Sequence, residues 1–287
     1  MKGTLLLGAV AYDPKVVTIW DGFQRFFARH DLDVDVVLYT NYERQVEAHV
    51  AGQVHVAWNS PLAWIESERV AAARGRRARA VAMRDSDRDL TSVVVVRADS
   101  PVHTLADLRG RRIATGAADS PQAYLIPLLA LAEAGVEPGR DAEVQRFDLL
   151  VGKHGDHIGG EREAARALMA GAADAACMID SNHLLFGREG IFTPGATRVV
   201  HQTAPYDHCN FTVFEDAPEP LIGRFVELLL AMKYEDPEVR PLLDMEGLKQ
   251  WMVGRTSGYT QLDRAVDRFG ALDPWLGRMG ARAGAGG

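Results

Sequence analysis

Four groups able to bind a metal or move a proton, His154, Asp156, His157 and Glu161, fall within eight positions of this 287-residue sequence. They lie in the run Val151-Gly152-Lys153-His154-Gly155-Asp156-His157-Ile158-Gly159-Gly160-Glu161, whose glycines let the backbone turn tightly. Imidazole nitrogens and carboxylates are ligands for Fe or Zn, and a His and Glu in reach of one substrate can serve as base and acid. The spacing matches no diagnostic metal signature, so a plain polar loop stands beside the metal reading. A second group is Asp207-His208-Cys209-Asn210, which offers an imidazole and a thiol. In a regular strand His208 and Cys209 would face opposite sides, and only a bend would present both. The chain contains no Gly-rich phosphate loop, zinc ribbon or nucleophile elbow.

Strand-length apolar runs alternate with amphipathic helical stretches through the first two hundred residues, which predicts an α/β fold. Strands are expected over 5–10, 34–38 and 54–58, with helices over 16–30 and 42–51, the second capped by Asn41 and ended by Gly52. A β-branched run at 91–96 begins a second series: strands 112–115, 142–147 and 173–178, with helices 122–134 and 160–170. Strands at 197–203 and 210–214 follow, and the remainder reads as helical. This order predicts two lobes, residues 1–90 with 206–287 and residues 91–205, joined by two crossovers near 89–99 and 201–207. In open α/β sheets ligands sit beyond the carboxyl ends of strands. That places Tyr12, Tyr42, Asn59 and Ser60 from the first lobe, and Asp180 from the second, at the rim of a central cleft.

A formal charge of −7 argues against a nucleic-acid partner, whose affinity comes from clustered Lys and Arg. No run approaches the roughly 20 apolar residues that span a bilayer, so no membrane insertion is expected. The short apolar stretch at 4–10 runs straight into Tyr12-Asp13-Pro14 and reads as a first strand, not a signal peptide. The expected location is therefore cytoplasmic, or periplasmic or secreted for a chain trimmed of its leader. Two cysteines, Cys177 and Cys209, neither demand nor exclude a disulfide.

The segment from Tyr42 to Pro61, with Val46, Ala48, Gly52, Ala57-Trp58 and Pro61, resembles phosphate/phosphonate-type substrate-binding proteins of ABC transporters. So do the runs 92–101 and 105–114, the stretch 167–176 and Ala204-Pro205-Tyr206. The resemblance implies the two-lobed type II periplasmic-binding-protein fold. It also implies an oxyanion site at a second-lobe helix N-terminus, a place that reads Asp119-Ser120-Pro121-Gln122-Ala123-Tyr124 here. Ser120 persists, but Pro121 removes an N–H donor, Asp119 adds negative charge, and Gly160-Glu161 stands where the family carries Ser-His.

These departures point to a small polar ligand that contains an amine or chelates a metal. Tyr12, Tyr42 and Tyr124 would form aromatic walls, with polar contacts from Asn59, Ser60, Ser120, Gln122, Glu161, Asp180 and His208. A rival reading is an Fe- or Zn-dependent biosynthetic enzyme, such as a lyase, decarboxylase or oxygenase, on the same scaffold. There His154, His157 and Glu161 would be catalytic and would bind the metal with His208 and Cys209. A third reading is a ligand-responsive partner-binding module. A cytoplasmic protein would not meet transporter subunits.

Overall fold

Alternating strand and helix periods come out as expected in the computed structural model, which describes residues 3–155 and 158–284. The strands are β1 (Leu5–Val10), β2 (Val34–Tyr39), β3 (Val56–Asn59), β4 (Ala78–Arg84), β5 (Ser92–Arg97), β6 (Arg112–Thr115), β7 (Glu143–Arg146), β8 (Ala175–Ile179), β9 (Thr197–Gln202), β10 (Asn210–Phe214) and β11 (Trp251–Val253). The helices are α1 (Lys15–Arg29), α2 (Tyr42–Val50), α3 (Pro61–Ala73), α4 (Ile126–Glu133), α5 (Gly159–Met169), α6 (Asp180–Arg188), α7 (Glu219–Ala231), α8 (Arg240–Glu246), α9 (Thr260–Phe269) and α10 (Asp273–Gly284).

The chain divides into two compact units. Unit 1 comprises Met1–Arg88, Asp207–Tyr259 and Leu272–Gly287; unit 2 comprises Asp89–Tyr206 and Thr260–Ala271. The expected lobes gave all of 206–287 to the first. Instead Tyr206 and α9 belong to unit 2, so the chain passes between units at 88/89, 206/207, 259/260 and 271/272 rather than twice. The physical reason is packing: α9 lies on α4, joined to it by the ion pair Arg264–Glu133, and Arg268 pairs with Glu137 in the loop that follows α4.

Unit 1 is built on a six-stranded sheet in the order β11-β4-β10-β3-β1-β2. β1 runs parallel to β2 and β3, while β10 is antiparallel to β3 and β4. The aromatic stripe of α1, Val16, Ile19, Trp20, Phe23, Phe26 and Phe27, is buried against Leu5, Leu7, Trp58, Phe211 and Trp251. Fully burying each such side chain is worth about 1.5–3 kcal/mol. Trp20 and Trp58 thus act in packing. β4 and β11 are strands that the sequence reading left out, β11 falling in the stretch taken as helical. It spans three residues, too few to show a period-2 pattern, and it exists through its antiparallel pairing to β4.

Unit 2 holds a five-stranded sheet ordered β7-β6-β8-β5-β9. β6 is parallel to β7 and β8, and β5 is antiparallel to β8 and β9. One face is covered by α4 through Leu128 and Leu131, the other by α5 through Ala164, Ala165 and Leu168. Among the described residues, no helix is long and apolar enough to cross a membrane.

Candidate functional site

The residues expected to bind ligand cluster where strands end and helices begin. In unit 2 the chain leaves β6 at Thr115 and reaches Ser120, which caps a wide π-helical turn, Pro121–Leu125, leading into α4. Ser120 Oγ accepts the Ala123 N–H at 3.2 Å. Pro121 stands at the first helical position, where its missing N–H leaves no bond unmade. Tyr124 is half-buried on the same turn and packs against the α4-side core.

Gln122 is 4% exposed, and its Nε2 donates to the Gly155 carbonyl at 2.6 Å and to Glu161 Oε1 at 3.4 Å. Two oxygen acceptors on one side fix which amide atom is nitrogen. Its Oε1 is buried and accepts no hydrogen bond among the described residues. Gly155 stands at φ 77°, and a Cβ there would come within 2.5 Å of Ser120 Oγ and 2.6 Å of Gln122 Nε2. Only glycine tolerates both conditions.

Glu161, in the first turn of α5, is 2% exposed. Its Oε2 accepts the Ile179 N–H at 3.0 Å and the Asn182 Nδ2–H at 2.8 Å. Ile179 caps α6, so the carboxylate sits at that helix N-terminus and satisfies donors the helix leaves open. Burial, with the Glu161 charge nearby, pushes the Cys177 thiol up to about 12, which makes this cysteine inert as a nucleophile. Asp180 is half-buried: Oδ2 accepts the Thr91 hydroxyl at 2.8 Å and Oδ1 accepts the Ser181 N–H. Asp119 Oδ2 accepts the Gly152 N–H, and at 3.4 Å the His154 N–H. These bonds tie the glycine loop to the turn, with Leu150 and His154 in left-handed backbone. His154 is fully buried. Asp156 and His157 lie outside the described residues.

Ser92 was absent from the sequence-derived set, yet its hydroxyl organises this region. Ser92 Oγ donates to the Gln122 carbonyl at 2.6 Å, which spends its only hydrogen. The Tyr206 hydroxyl, 2.8 Å away, must therefore be the donor of the second bond. Burial pushes the Tyr206 phenol well above its ordinary value, keeping that proton in place. Ala204-Pro205-Tyr206 had drawn notice in the sequence; nothing in the type of Ser92 marked it.

In unit 1, Ser60 caps α3 by accepting the Ala63 N–H at 3.1 Å. Asn59 is fully enclosed, with Nδ2 donating to Ser67 Oγ and Thr212 Oγ1 and Oδ1 accepting from Gln45 Nε2. The chain of bonds continues from Thr212 to Asn210, Tyr259 and the His208 carbonyl. Both Asn59 donors are thus spent on shaping the end of β3. Tyr42 is buried in the apolar cluster with Val46, Val50 and Trp275, a packing position and not an exposed aromatic wall. Tyr12, half-buried beyond β1, has the Lys15 ammonium 5.8 Å from its ring centre. His55 Nδ1 accepts the Leu6 N–H, as a structural histidine would.

The residues proposed as one metal set divide between units. Glu161 serves as a hydrogen-bond acceptor in unit 2, whereas His208 and Cys209 lie in unit 1, ahead of β10 where the backbone is not yet strand. That irregular backbone supplies the bend: His208 Nδ1 is 3.1 Å from Cys209 Sγ and 3.4 Å from Asp87 Oδ1. Asp87, missed in the sequence, is already committed. Arg84 grips both of its oxygens through Nε and Nη2 and also reaches Glu246. Burial would raise the Asp87 pKa, but the Arg84 guanidinium outweighs it and holds the carboxyl down at about 2. A divalent cation would have to displace a guanidinium in bonding contact, so this triad reads as a structural ion-pair network.

Residues 11–259 match the family model described as the phosphonate ABC transporter periplasmic substrate-binding protein. The chain belongs to this family. Solved structures share the fold. A Xanthomonas citri protein bound to ATP superposes with a TM-score of 0.70 at 20% identity, covering 92% of this chain and 97% of that one. A Prochlorococcus marinus protein in complex with methylphosphonate gives 0.67 at 16%, with coverage of 93% and 98%. A phosphonate transporter binding component of Pseudomonas aeruginosa gives 0.62 at 12%, with 99% of each chain covered. The type II binding-protein fold of the family and small-molecule binding therefore stand. The family is periplasmic and works with ABC transporters, which agrees with the periplasmic alternative. It lends no support to a cytoplasmic location, to the absence of transporter partners, or to a metal-dependent enzyme.

Proposed function

We propose that this chain is the solute receptor of an ABC importer, binding one small polar molecule at the carboxyl ends of its parallel strands. The family match over residues 11–259 carries this reading. The arrangement of polar groups supports it: Tyr12 follows β1, Ser60 follows β3, Ser120 follows β6 and Asp180 follows β8. Those are the positions at which open α/β sheets take ligands. Ser120, Gln122, Asp180 and the loop carrying His154 form the polar wall in unit 2, with Ser92, Glu161 and Tyr206 behind them as positioning groups. In unit 1, taken by itself, Tyr12 and Ser60 stand at the equivalent strand ends, and Asn59 holds the loop that presents Ser60.

The test is retention of a solute. The purified full chain is dialysed against a low-molecular-weight bacterial extract and examined by native mass spectrometry, where one bound small molecule per chain is expected. A chain that emerges at its bare mass from extracts of several growth conditions defeats the receptor reading.

A further inference from the structure

We propose that α2 is an acid-operated latch on the loop that presents Ser60, with His49 as its trigger. Its bearing on solute release rests on the receptor reading above, whereas the latch itself is a property of unit 1. His49 is 2% exposed, and neither nitrogen of its ring makes a hydrogen bond among the described residues. Its ring centre lies 4.3 Å from that of Phe214, a member of the apolar cluster of Tyr42, Val46 and Val50. A neutral imidazole stays in such a place at the cost of unmade bonds. An imidazolium would bury a charge and a second unmet donor.

The charged groups around the ring leave burial in control. Arg76, which follows α3, has its guanidinium carbon 4.8 Å from the centre of the same Phe214 ring and opposes a second cation there. The His55 imidazole, ahead of β3, opposes it too, while the His55 backbone and the Asp216 carboxylate after β10 favour it. Asp216 is already paired with Arg76. On α2 itself Glu47 pairs with Arg44. α3 carries Glu66, Glu68 and Arg69, of which Glu66 lies within 4.8 Å of Glu43 at the start of α2. β1, β3 and β10 carry no charged side chain, and β2 only Asp35. Burial therefore holds the ring far below the ordinary histidine value, at about 3.

One turn earlier on α2, Gln45 Nε2 donates to the Trp58 carbonyl at 2.9 Å and to Asn59 Oδ1 at 2.7 Å. Residues four apart share one face of a helix, so the trigger and the latching amide move together. At nine residues α2 is shorter than helices that persist alone, and its order comes from packing. The ring takes a proton only in an opened state, where it titrates near about 6.5. Acid therefore draws α2 open, and the step from pH 7.5 to 5.5 raises the opened population about tenfold. Opening withdraws the Gln45 amide from Asn59 and frees the end of β3 just before Ser60.

Native-state hydrogen exchange of the full chain at pH 7.5 and 5.5, corrected for the intrinsic pH dependence of amide exchange, reads the opening directly. The opening constants of segments 42–50 and 56–60 should rise about tenfold at the lower pH. In His49→Phe, which keeps an aromatic ring and loses the titration, the rise should vanish. Unchanged exchange in the parent, a rise confined to 42–50, or a rise that persists in His49→Phe overturns the latch. Should His49→Phe not fold, the imidazole resonances of the parent decide: a folded His49 that stays neutral across this range supports the trigger, and one that titrates near about 6.5 overturns it. A solute retained from the extract should leave the parent faster at pH 5.5 than at pH 7.5, and equal retention overturns the latch as a release device. A chain that retains no solute defeats the receptor reading, and the exchange result still decides the latch.

Discussion

Asp87 in unit 1 and Glu161 in unit 2 are both almost fully buried carboxylates, and their surroundings handle the charge differently. Asp87 is clasped by the Arg84 guanidinium, which also binds Glu246 and lies over the Trp58 ring. Glu161 accepts from the Ile179 N–H and the Asn182 amide at the start of α6, and from the Gln122 amide on the turn before α4. In the first case charge is cancelled by charge, and the result is an internal brace beside β4 and β10. In the second, N–H dipoles orient the carboxylate, and burial, with the Glu161 charge adding to it, raises the Cys177 and Tyr206 pKa values. The contrast teaches that burial alone does not tell how a carboxylate's charge is met; the identity of the donors does.

The strongest way to break this contrast is Asp87→Ala, which strands Arg84 in the interior. Removing one partner of a buried pair typically costs about 3–5 kcal/mol, so urea unfolding should show a loss of that order. A loss under about 1 kcal/mol would mean that the brace is ornamental.

Acid should sharpen the difference next. His49 on α2 is buried with its ring centre 4.3 Å from that of Phe214, and burial lowers its pKa to about 3. The unfolded imidazole titrates near about 6.5, so the unfolded state gains a proton that the folded state refuses as pH falls below that value. Stability is therefore full above that pH and falls by about 1.4 kcal/mol per pH unit toward the folded value. Between pH 6.5 and 5 the loss should reach about 2 kcal/mol, and hydrogen exchange should report it first in unit 1. A His49→Phe chain whose stability keeps the same slope would assign the effect elsewhere.

The smallest effect is expected from Ser120→Ala, which removes a cap from the turn into α4 and should cost about 1 kcal/mol. Chemical denaturation measures it, and an unchanged midpoint would show that the π-helical turn does not depend on its cap.

Much of the fold was legible because periodicity is a local property. The predicted strands 5–10, 112–115 and 210–214 match β1, β6 and β10, and the apolar faces of α1 and α5 announce their partners. The candidate site was legible in part: Ser120, Gln122 and Glu161 do come together, because each sits at an end of an element whose place follows from the sheet order. His208 and Cys209 were readable as a pair, but not their partner Asp87, some 120 positions away. Tyr42 looked like a rim residue and is core, since its position at a helix start says nothing about which side of that helix the sheet covers.

The sequence by itself determined the α/β class, the order of strands and helices, the negative charge and the family motifs, because all of these depend on residue type and short-range spacing. Tertiary structure alone decided that α9 packs with unit 2, that Arg84 takes Asp87, and that Glu161 meets Ile179 and Asn182. Those outcomes depend on which side chains share a buried volume, where each N–H must find an acceptor and each charge a partner, and no local pattern encodes that accounting.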